Sequence, residues 1–190
     1  MDPDSELLRK CWEGDPTAFR DLVHRYEGMV YSLARRTLRS DEEADDAAQE
    51  VFLNVFRSIP FFRGDCTVKT WVYRIAVNEC IARSKRRKRH ESTVRPFFDG
   101  EEDDIGSPSH ELTASEALER DEEARRVRAA VAKLPEKYRV AMILRYFDGL
   151  SYDEVSDALD VPLNTLKVWL YRAKGLLREE LQGTLGKDAG

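Results

Sequence analysis

The sequence lacks any hydrophobic run that approaches the roughly 20 apolar residues of a membrane-spanning helix. Its first residues, MDPDSELLRK, lack the basic end followed by an apolar stretch that marks a secretory signal peptide. Cysteine is scarce, and Cys11, Cys66 and Cys80 are scattered and odd in number, which fits a reducing compartment better than a disulfide framework. We therefore expect no signal peptide, no membrane insertion and a cytoplasmic location.

Motifs for catalysis and metal binding are also missing. The three histidines, His24, His90 and His110, have no Cys or Glu partner at metal-ligand spacing. The sequence contains no Gly-rich phosphate-binding loop and no serine nucleophile motif. We therefore expect that the chain is not an enzyme and that it uses no metal, no cofactor and no small-molecule substrate.

Glycine and proline are few, with 10 and 7 residues, whereas hydrophobic residues make up 42% of the chain. This composition is typical of globular, helix-rich proteins rather than of disordered ones. A length of 190 residues allows one or two small domains, each with its own core. We therefore expect an all-α protein.

The net charge of −5 is the sum over three segments that differ in charge. Residues 1–90 carry 17 Lys and Arg against 15 Asp and Glu, residues 91–120 carry 2 against 9, and residues 121–190 carry 12 against 12. Two nearly neutral blocks thus flank an acidic strip, and the cations within each block are clustered. Because local clusters set the field that a polyanion meets, nucleic-acid binding remains open.

The first 38 residues predict two helices. The segment from Ser5 to Trp12 is short and amphipathic, and the next helix begins with Asp15 as N-cap and Pro16 in the first turn. Apolar residues then recur at steps of three and four, as expected for a long helix with one buried face. They are Phe19, Leu22, Val23, Tyr26, Val30, Leu33 and Leu38.

A capping-box pattern, Ser40 with Glu43, begins a third helix, DEEADDAAQEVFLNVFRSI. This helix is acidic in its first half and apolar in its second half, through Val51, Phe52, Val55 and Phe56. Two interpretations of the acids are open. They either match the helix dipole on a solvated face or form a docking surface for a basic partner helix.

The stretch from Phe61 to His90 interleaves aromatic residues with cations. Pro60 ends the third helix, residues 61–67 predict a loop that turns at Gly64, and a fourth helix begins near Val68. Helical spacing predicts an inward stripe on this helix. Its members are Val68, Trp71, Val72, Ile75 and Ala82.

This spacing assigns Trp71 to the core and predicts that Lys69, Tyr73 and Arg74 point away from it. Tyr73 is then the better candidate to stack on an unpaired base, because every base offers a face and every nucleotide a charge to neutralise. The helix ends in a basic run, residues 83–89. The alternative is a core helix whose basic end is simply solvated.

Residues 5–90 therefore predict one compact helical domain. Between residues 91 and 115 the apolar periodicity disappears, and acidic, Gly, Pro and Ser residues dominate. Such a segment buries too little apolar surface to offset the entropy of ordering, so we predict an acidic flexible linker. It is either a passive tether, a shield that keeps basic surfaces off random DNA, or a segment that threads a basic channel of a partner.

Residues 116–183 predict a second helical domain. Val140, Ile143, Leu144 and Phe147 recur at helical spacing before a stop at Gly149. A second capping-box pattern, Ser151 with Glu154, then begins a short helix, YDEVSDALD.

A turn at Val161-Pro162 separates that short helix from a last helix between Leu163 and Leu181. Its apolar stripe consists of Leu166, Leu170, Ala173 and Leu177. At 100° per residue, a neighbouring face collects Lys167, Tyr171, Lys174 and Arg178. This pattern predicts a helix-turn-helix, whose second helix enters the major groove of DNA.

With these motifs in place, the chain resembles bacterial sigma factors of the extracytoplasmic-function (ECF) class, which keep sigma regions 2 and 4 joined by a linker. The resemblance rests on DEEADDAAQEVFLNVFRSI, FRGD and KTWVYRIAVN in the first domain and on LPEKYRVAMILRYFDGLSYDEVSDALDVPLNTLKVWLYRAK in the second. It covers about residues 6–181 and is weakest in the linker. It implies a factor that binds core RNA polymerase, directs it to promoters through −35 and −10 elements and assists melting.

The resemblance makes residues 5–90 sigma region 2, whose acidic helix docks on the β′ clamp helices of the polymerase. The implied contacts are Asp45, Asp46, Gln49, Glu50 and Asn54. The loop and the helix that follow correspond to the −10 reader, where capture of an extruded base offsets a few kcal/mol of unstacking. The implied contacts there are Arg63, Lys69, Tyr73, Arg74, Asn78, Lys85 and Arg86.

Residues 116–183 become sigma region 4, and the last helix corresponds to the −35 reader. The implied contacts are Asn164, Lys167, Val168, Tyr171, Arg172 and Lys174. Similar proteins commonly have a small polar residue and an arginine where this chain has Val168 and Trp169. We therefore expect Val168 to contact a thymine methyl group rather than to hydrogen-bond, and Trp169 to pack against the domain.

The partners that the resemblance implies are core RNA polymerase, through its β′ clamp helices and β flap, promoter DNA, and an anti-sigma factor. The anti-sigma factor would also be the means of holding the chain at the inner face of the membrane. The residues alone leave two other functions open. One is a conventional DNA-binding regulator in which residues 5–90 sense or dimerise, and the other is an interaction protein such as a sequestering adaptor.

Overall fold

The structure, a computed structural model, describes residues 4–38, 40–93 and 114–185, which form helices and connecting turns without a strand. The helices are α1 (Ser5–Trp12), α2 (Pro16–Thr37), α3 (Asp41–Ser58), α4 (Val68–Thr93), α5 (Ala114–Lys133), α6 (Glu136–Met142), α7 (Tyr152–Leu159) and α8 (Leu163–Leu185). A 3₁₀ turn (Ile59–Phe61) follows α3, and a π-helical turn (Ile143–Phe147) continues α6. The all-α prediction is confirmed for these residues.

Helices α1 to α4 form the first domain, and side-chain caps fix where two of them begin. The Asp15 carboxylate accepts hydrogen bonds from the backbone N–H groups of Thr17 at 2.8 Å and Ala18 at 3.4 Å. The Ser40 hydroxyl accepts from the Glu43 N–H at 3.1 Å. These caps satisfy amides that have no partner inside the helix, and the predicted starts of α2 and α3 are confirmed.

The core of the first domain lies between α2, α3 and α4. Its fully buried large side chains are Leu22, Leu33, Val30, Val51, Val55, Val68, Val72 and Val77. Burial of one such side chain contributes about 1.5 to 3 kcal/mol, so these contacts, rather than helix propensity, hold the helices together. The apolar stripe predicted for α2 is confirmed at the residues that are buried, which are Leu22, Tyr26, Val30, Leu33 and Leu38.

Helix α4 confirms one prediction about its inward face and corrects two. Trp71 is only 9% exposed and packs on Phe62, with 5.0 Å between the ring centroids, so it belongs to the core as predicted. Ala82 is exposed, because Ser84 instead occupies the buried position at that end of the helix. Tyr73, predicted to point outward, is only 3% exposed, because the second domain covers it.

Helices α5 to α8 form the second domain. Gly149 has φ 72°, a left-handed conformation in which glycine carries no steric cost, and it ends the preceding helix as predicted. The Ser151 hydroxyl accepts from the Glu154 N–H at 3.1 Å, and the Glu154 carboxylate accepts from the Ser151 N–H at 2.7 Å. The second capping box is therefore confirmed in both directions.

The π-helical turn was not predicted. The Asp148 N–H donates to the Ile143 carbonyl at 3.0 Å, a five-residue spacing that places one extra residue in the turn. Ile143 and Leu144 are buried as predicted, but Phe147 is 39% exposed. The Phe147 ring lies instead under the Arg36 guanidinium of the first domain, 5.4 Å from its centroid.

Helix α8 presents the predicted apolar stripe to the second domain. Leu166, Leu170, Ala173 and Leu177 are all buried. The helix extends to Leu185, beyond the predicted end at Leu181. The predicted linker, residues 91–115, lies outside the described residues except at its ends, where α4 reaches Thr93 and α5 begins at Ala114.

The two domains contact each other through α7 and the π turn, which lie against α4 and α2. Buried apolar residues of both domains belong to one continuous cluster. We call this arrangement, in which α7 packs against α4, the closed form. It places part of the second domain directly on the helix that carries the predicted base-contacting residues.

Candidate nucleic-acid interface

The acidic face of α3 is accessible. Asp45, Asp46 and Gln49 are exposed, and Glu50 and Asn54 are half-buried. Arg57 donates to Glu50 and to Asn54, each at 3.3 Å. All five residues predicted to meet the polymerase therefore lie on one side of α3, although a cation of the same helix already engages two of them.

The first domain also exposes several large apolar side chains. Phe56 is 57% exposed and packs edge-on against Phe19, with 5.1 Å between centroids. Leu53, Trp12 and Phe61 are also exposed. Large exposed apolar side chains in one domain are typical of a protein-binding surface, and the apolar pattern of α3 did not by itself show that Phe56 would be exposed.

Five of the seven predicted −10 contacts are exposed, and three of them lie in the loop before α4 or in the first half of that helix. Arg63 lies in the loop, and Lys69 and Asn78 lie on the helix. The Lys69 ammonium lies 6.0 Å from the centroid of the Tyr73 ring. A loop cation, a helix cation and an amide are thus available to a nucleic acid, while the tyrosine is not.

In the closed form, residues of the second domain engage two further predicted −10 contacts of α4, Arg74 and Tyr73. The Arg74 Nε donates to the Asp157 carbonyl oxygen of α7 at 2.9 Å. The Tyr73 hydroxyl interacts with the Asp148 carboxylate, and its pKa is raised mainly by burial and further by that negative charge. Burial likewise raises the pKa of Asp148, although the Arg36 guanidinium opposes the shift.

The basic end of α4 is partly neutralised by acids of its own domain. Arg83 donates to Glu79 at 2.7 Å, and Arg86 donates to the same carboxylate at 3.1 Å. Arg87 donates to Glu43 of α3 at 2.6 Å. Lys85 and Arg86, the two predicted backbone contacts, are both exposed. Some residues of this basic run therefore hold α3 and α4 together, and others face solvent.

The predicted −35 contacts form an exposed surface along α8. Val168 is 47% exposed and Tyr171 80%. Also exposed are Asn164, Lys167, Arg172 and Lys174. Trp169 is half-buried and packs against the domain as expected, with the Lys137 ammonium 5.7 Å from its ring centroid. A helix that presents cations, an amide and apolar groups on one face suits the major groove.

Two tyrosines that sequence reasoning missed support the cations of α8. Tyr138 of α6 hydrogen-bonds with Arg172, and this bond lowers the pKa of Tyr138. Tyr146 of the π turn hydrogen-bonds with Lys174, whose pKa it raises, and the Lys174 ammonium lies 5.1 Å from the Tyr146 ring centroid. Their tertiary contacts gave no periodic signal, so only the structure reveals these supports.

Within residues 4–38, 40–93 and 114–185, no group of three or more His, Cys, Asp and Glu residues could hold a metal ion. Across the same ranges, no helix combines the length and the hydrophobicity that a membrane crossing requires.

Two family models match the chain in the order of its domains. The model described as Sigma-70 region 2 matches residues 22–90, and the model described as Sigma-70, region 4 matches residues 124–177. Among curated proteins, RNA polymerase sigma-H factor of Pseudomonas aeruginosa is 34% identical, with 97% of each chain covered. ECF RNA polymerase sigma-E factor of Escherichia coli K12 is also 34% identical, with 94% of each chain covered.

Solved structures share the fold. The sigma factor RpoE, from its complex with the anti-sigma factor NepR from Bartonella quintana, matches with a TM-score of 0.68 and 19% identity, covering 86% of this chain and 96% of that one. CnrH, from its complex with the cytosolic domain of CnrY, matches with a TM-score of 0.66 and 21% identity, covering 96% and 99%.

Proposed function

Because this chain belongs to the sigma-70 family as a sigma factor of the ECF class, we propose that it binds core RNA polymerase, directs it to specific promoters and assists their melting. Promoter-specific initiation of transcription is the function of that class. The proposal assigns region 2 to residues 5–90, the linker to residues 91–115 and region 4 to residues 116–183. The chain itself catalyses no reaction in this scheme.

One observation carries this proposal. The two domains match region 2 and region 4 in order, and each domain has its own exposed surface of candidate contact residues. An acidic face on α3, together with the exposed Leu53 and Phe56 of the same helix, suits a protein partner, since interfaces join an apolar centre to a polar rim. We assign it to the β′ clamp helices, with Asp45, Asp46 and Gln49 as its exposed acidic and amide contacts and Glu50 and Asn54 at its edge.

The −10 element is assigned to the loop before α4 and to the exposed side of α4. Arg63 and Lys69 would neutralise phosphates, and Asn78 would contact an extruded base. Lys85 and Arg86 would follow the backbone of the strand. Tyr73 and Arg74 would also contact DNA once α7 has moved away from α4.

The −35 element is assigned to α8. Lys167 and Arg172 would bind base edges or phosphates, and Val168 would contact a thymine methyl group. Asn164, Tyr171 and Lys174 complete the proposed set. Tyr138 and Tyr146 would hold Arg172 and Lys174 in place, which reduces the rotamer entropy lost on binding.

We further propose a cytoplasmic location and an anti-sigma partner. The relatives named RpoE and CnrH were solved with the anti-sigma factor NepR and with the cytosolic domain of CnrY, respectively. Region 4 would also contact the β flap of the polymerase.

The test is transcription of fragmented genomic DNA by core polymerase with and without the full chain, followed by mapping of the new 5′ ends. We expect a small set of start sites that share upstream motifs and appear only when the chain is present. Asp45→Lys with Asp46→Lys should abolish them, whereas Glu42→Lys, an exposed acid of the same helix, should not. Specific duplex binding by the chain alone, without a complex with core polymerase, would instead favour a conventional regulator.

A further inference from the structure

We propose that Lys137 and Tyr138 of α6 form, together with Arg172 of α8, a clamp for one backbone phosphate of duplex DNA at the edge of the −35 reading surface. This inference rests on the proposed function of α8 as the −35 reader. It extends the DNA surface to α6, a helix outside the predicted helix-turn-helix of α7 and α8. It also gives Arg172 a phosphate, rather than a base, as its partner.

The Tyr138 hydroxyl joins the two cations of this clamp. Its hydrogen bond with Arg172 lowers the pKa of Tyr138, and Lys137 lowers that pKa further through its charge and a second hydrogen bond. The Lys137 ammonium also lies 5.0 Å from the centroid of the Tyr138 ring. One cation from α6 and one from α8, two helices that pack on each other, therefore meet at a single oxygen atom.

The hydrogen-bonding capacity of this hydroxyl is not used up by the two cations. Lysine and arginine side chains carry donors only, so the phenol oxygen accepts from both of them. Its own O–H hydrogen is then left to donate elsewhere, and residues 4–38, 40–93 and 114–185 offer it no acceptor. A phosphate oxygen is an acceptor that would complete the set.

The positive charge of the clamp is also uncompensated. Among the described residues, neither Lys137 nor Arg172 forms an ion pair with an acid, whereas Lys133 of α5 pairs with Glu180 at 2.5 Å. Two like charges that share one hydroxyl oxygen repel each other. A phosphate held between them would replace this repulsion with charge-assisted hydrogen bonds, which are stronger than those between neutral groups.

The position of Arg172 on α8 suits the wall of the major groove. At about 100° per residue, Arg172 lies about 40° from Val168, on the side of Trp169. Tyr171 lies about 60° from Val168 on the opposite side. A helix with its side chains is about 10 to 12 Å wide and nearly fills a major groove of about 12 Å, so its flanks face the phosphate backbones. The flank that carries Arg172 is the one that α6 adjoins.

Trp169 supports Lys137 on this flank. The indole ring is half-buried, and the Lys137 ammonium lies 5.7 Å from its centroid. A lysine held against two aromatic rings loses less rotamer freedom on binding than an unsupported one. Lys137 is nevertheless exposed, so a phosphate reaches it without repacking of the domain.

The test maps the phosphate that each side chain contacts. Promoter fragments from the start-site experiment are made with a neutral methylphosphonate at one phosphate at a time across the upstream element. Their binding to holoenzyme reconstituted with the full chain is measured for the parent, Lys137→Gln, Tyr138→Phe and Arg172→Gln. Lys133→Gln, which changes an exposed lysine of α5 in the same domain, is the matched control.

We expect Lys137→Gln to weaken binding of the unmodified fragment about three- to tenfold and to reduce its salt dependence by about one charge. One methylphosphonate position should weaken the parent by a similar factor but affect Lys137→Gln and Arg172→Gln much less, because they have already lost that contact. Tyr138→Phe keeps the ring and should show the same position with a smaller change. Lys133→Gln should match the parent at every position, since a surface ion pair contributes little.

Unchanged affinity and salt dependence in Lys137→Gln would overturn the inference. Loss of sensitivity at different phosphates in Lys137→Gln and Arg172→Gln would do the same, because the two cations would then not share a ligand. Impaired holoenzyme formation with normal DNA binding would also overturn it, since the cluster would then bind an acidic protein surface.

The proposed function is read separately, as initiation by the parent holoenzyme. If the parent forms no promoter complex, the same scan is made on duplexes that the chain alone selects from a random pool. A phosphate shared by Lys137 and Arg172 in those duplexes would support the clamp while the proposed function fails. Failure to select any duplex would overturn both.

Discussion

Arg87 near the end of α4 donates a hydrogen bond of 2.6 Å to Glu43 in the first turn of α3. The pair joins the basic tail of the proposed −10 reader to the acidic start of the proposed polymerase-docking helix. Both side chains are partly shielded, with 17% and 35% exposure, so the pair is screened less than one on the open surface. Some cations of the tail therefore position helices rather than contact DNA.

Replacing Arg87 by Met should lower the free energy of unfolding by about 1 to 2 kcal/mol, because it removes a charge-assisted hydrogen bond and leaves Glu43 partly buried. Urea unfolding followed by circular dichroism measures this loss. Lys85→Met, an exposed cation two residues earlier, is the matched control and should change stability little. Equal losses in the two variants would contradict a positioning role for Arg87.

Replacing Asn78 by Ala should leave core polymerase binding unchanged and weaken promoter opening by roughly 1 kcal/mol or more, the worth of a base contact. Permanganate reactivity of unpaired thymines in the open complex measures this effect. Ala82→Ser, an exposed change on the next turn of α4, should leave reactivity at the parental level. If Asn78→Ala gives the parental level too, the side chain does not contact an extruded base.

Replacing Lys167 by Ala should weaken recognition of the upstream element by about 1 to 3 kcal/mol if the side chain contacts a base. A phosphate contact would instead reduce the salt dependence of binding by about one charge, equally for all sequences. Holoenzyme binding to promoter fragments at several salt concentrations separates these two cases. Glu179→Ala is the control on the same helix, and an unchanged affinity and salt slope for Lys167→Ala would exclude α8 as the reader at this position.

The three cysteines should differ in reactivity. Burial raises the pKa of the Cys80 thiol to about 12, and it also raises the pKa of Cys11, so neither forms much of the reactive thiolate near pH 8. Cys66 is only half-buried, in the loop before α4. Iodoacetamide should therefore label Cys66 first in the native chain and all three in urea, as followed by mass spectrometry. Rapid native labelling of Cys80 would mean that the first domain opens readily.

The sequence predicted most of the local structure because local chemistry decides it. Asp15, Ser40 and the Ser151–Glu154 box mark helix starts through hydrogen bonds within a few residues, and those starts are where the structure has them. The α8 stripe was equally predictable, since it packs within its own domain. The exposed surface proposed to read the −35 element lies beside it and follows directly from the same 100° rotation per residue.

Errors arose where a residue takes its partner from far along the chain. Tyr73 was expected to be outward-facing because its own helix offered no reason to bury it, yet Asp148 of the other domain covers it. Phe56 belongs to the apolar second half of α3, yet it is 57% exposed and packs on the surface against Phe19. Periodicity reports which face of a helix is apolar but not which other segment will cover it.

The π turn at Ile143–Phe147 comes directly before Asp148, the residue that contacts Arg36 of the first domain. The turn closes with a hydrogen bond that spans five residues, so it holds one residue more than an α-helical turn, and deletion of one residue would change the backbone that positions Asp148 against Arg36. The compositions of α7 and α8, and their packing on each other, would be untouched by such a deletion. The contact between the two domains thus depends on the length of a five-residue segment as well as on the side chains that meet across it.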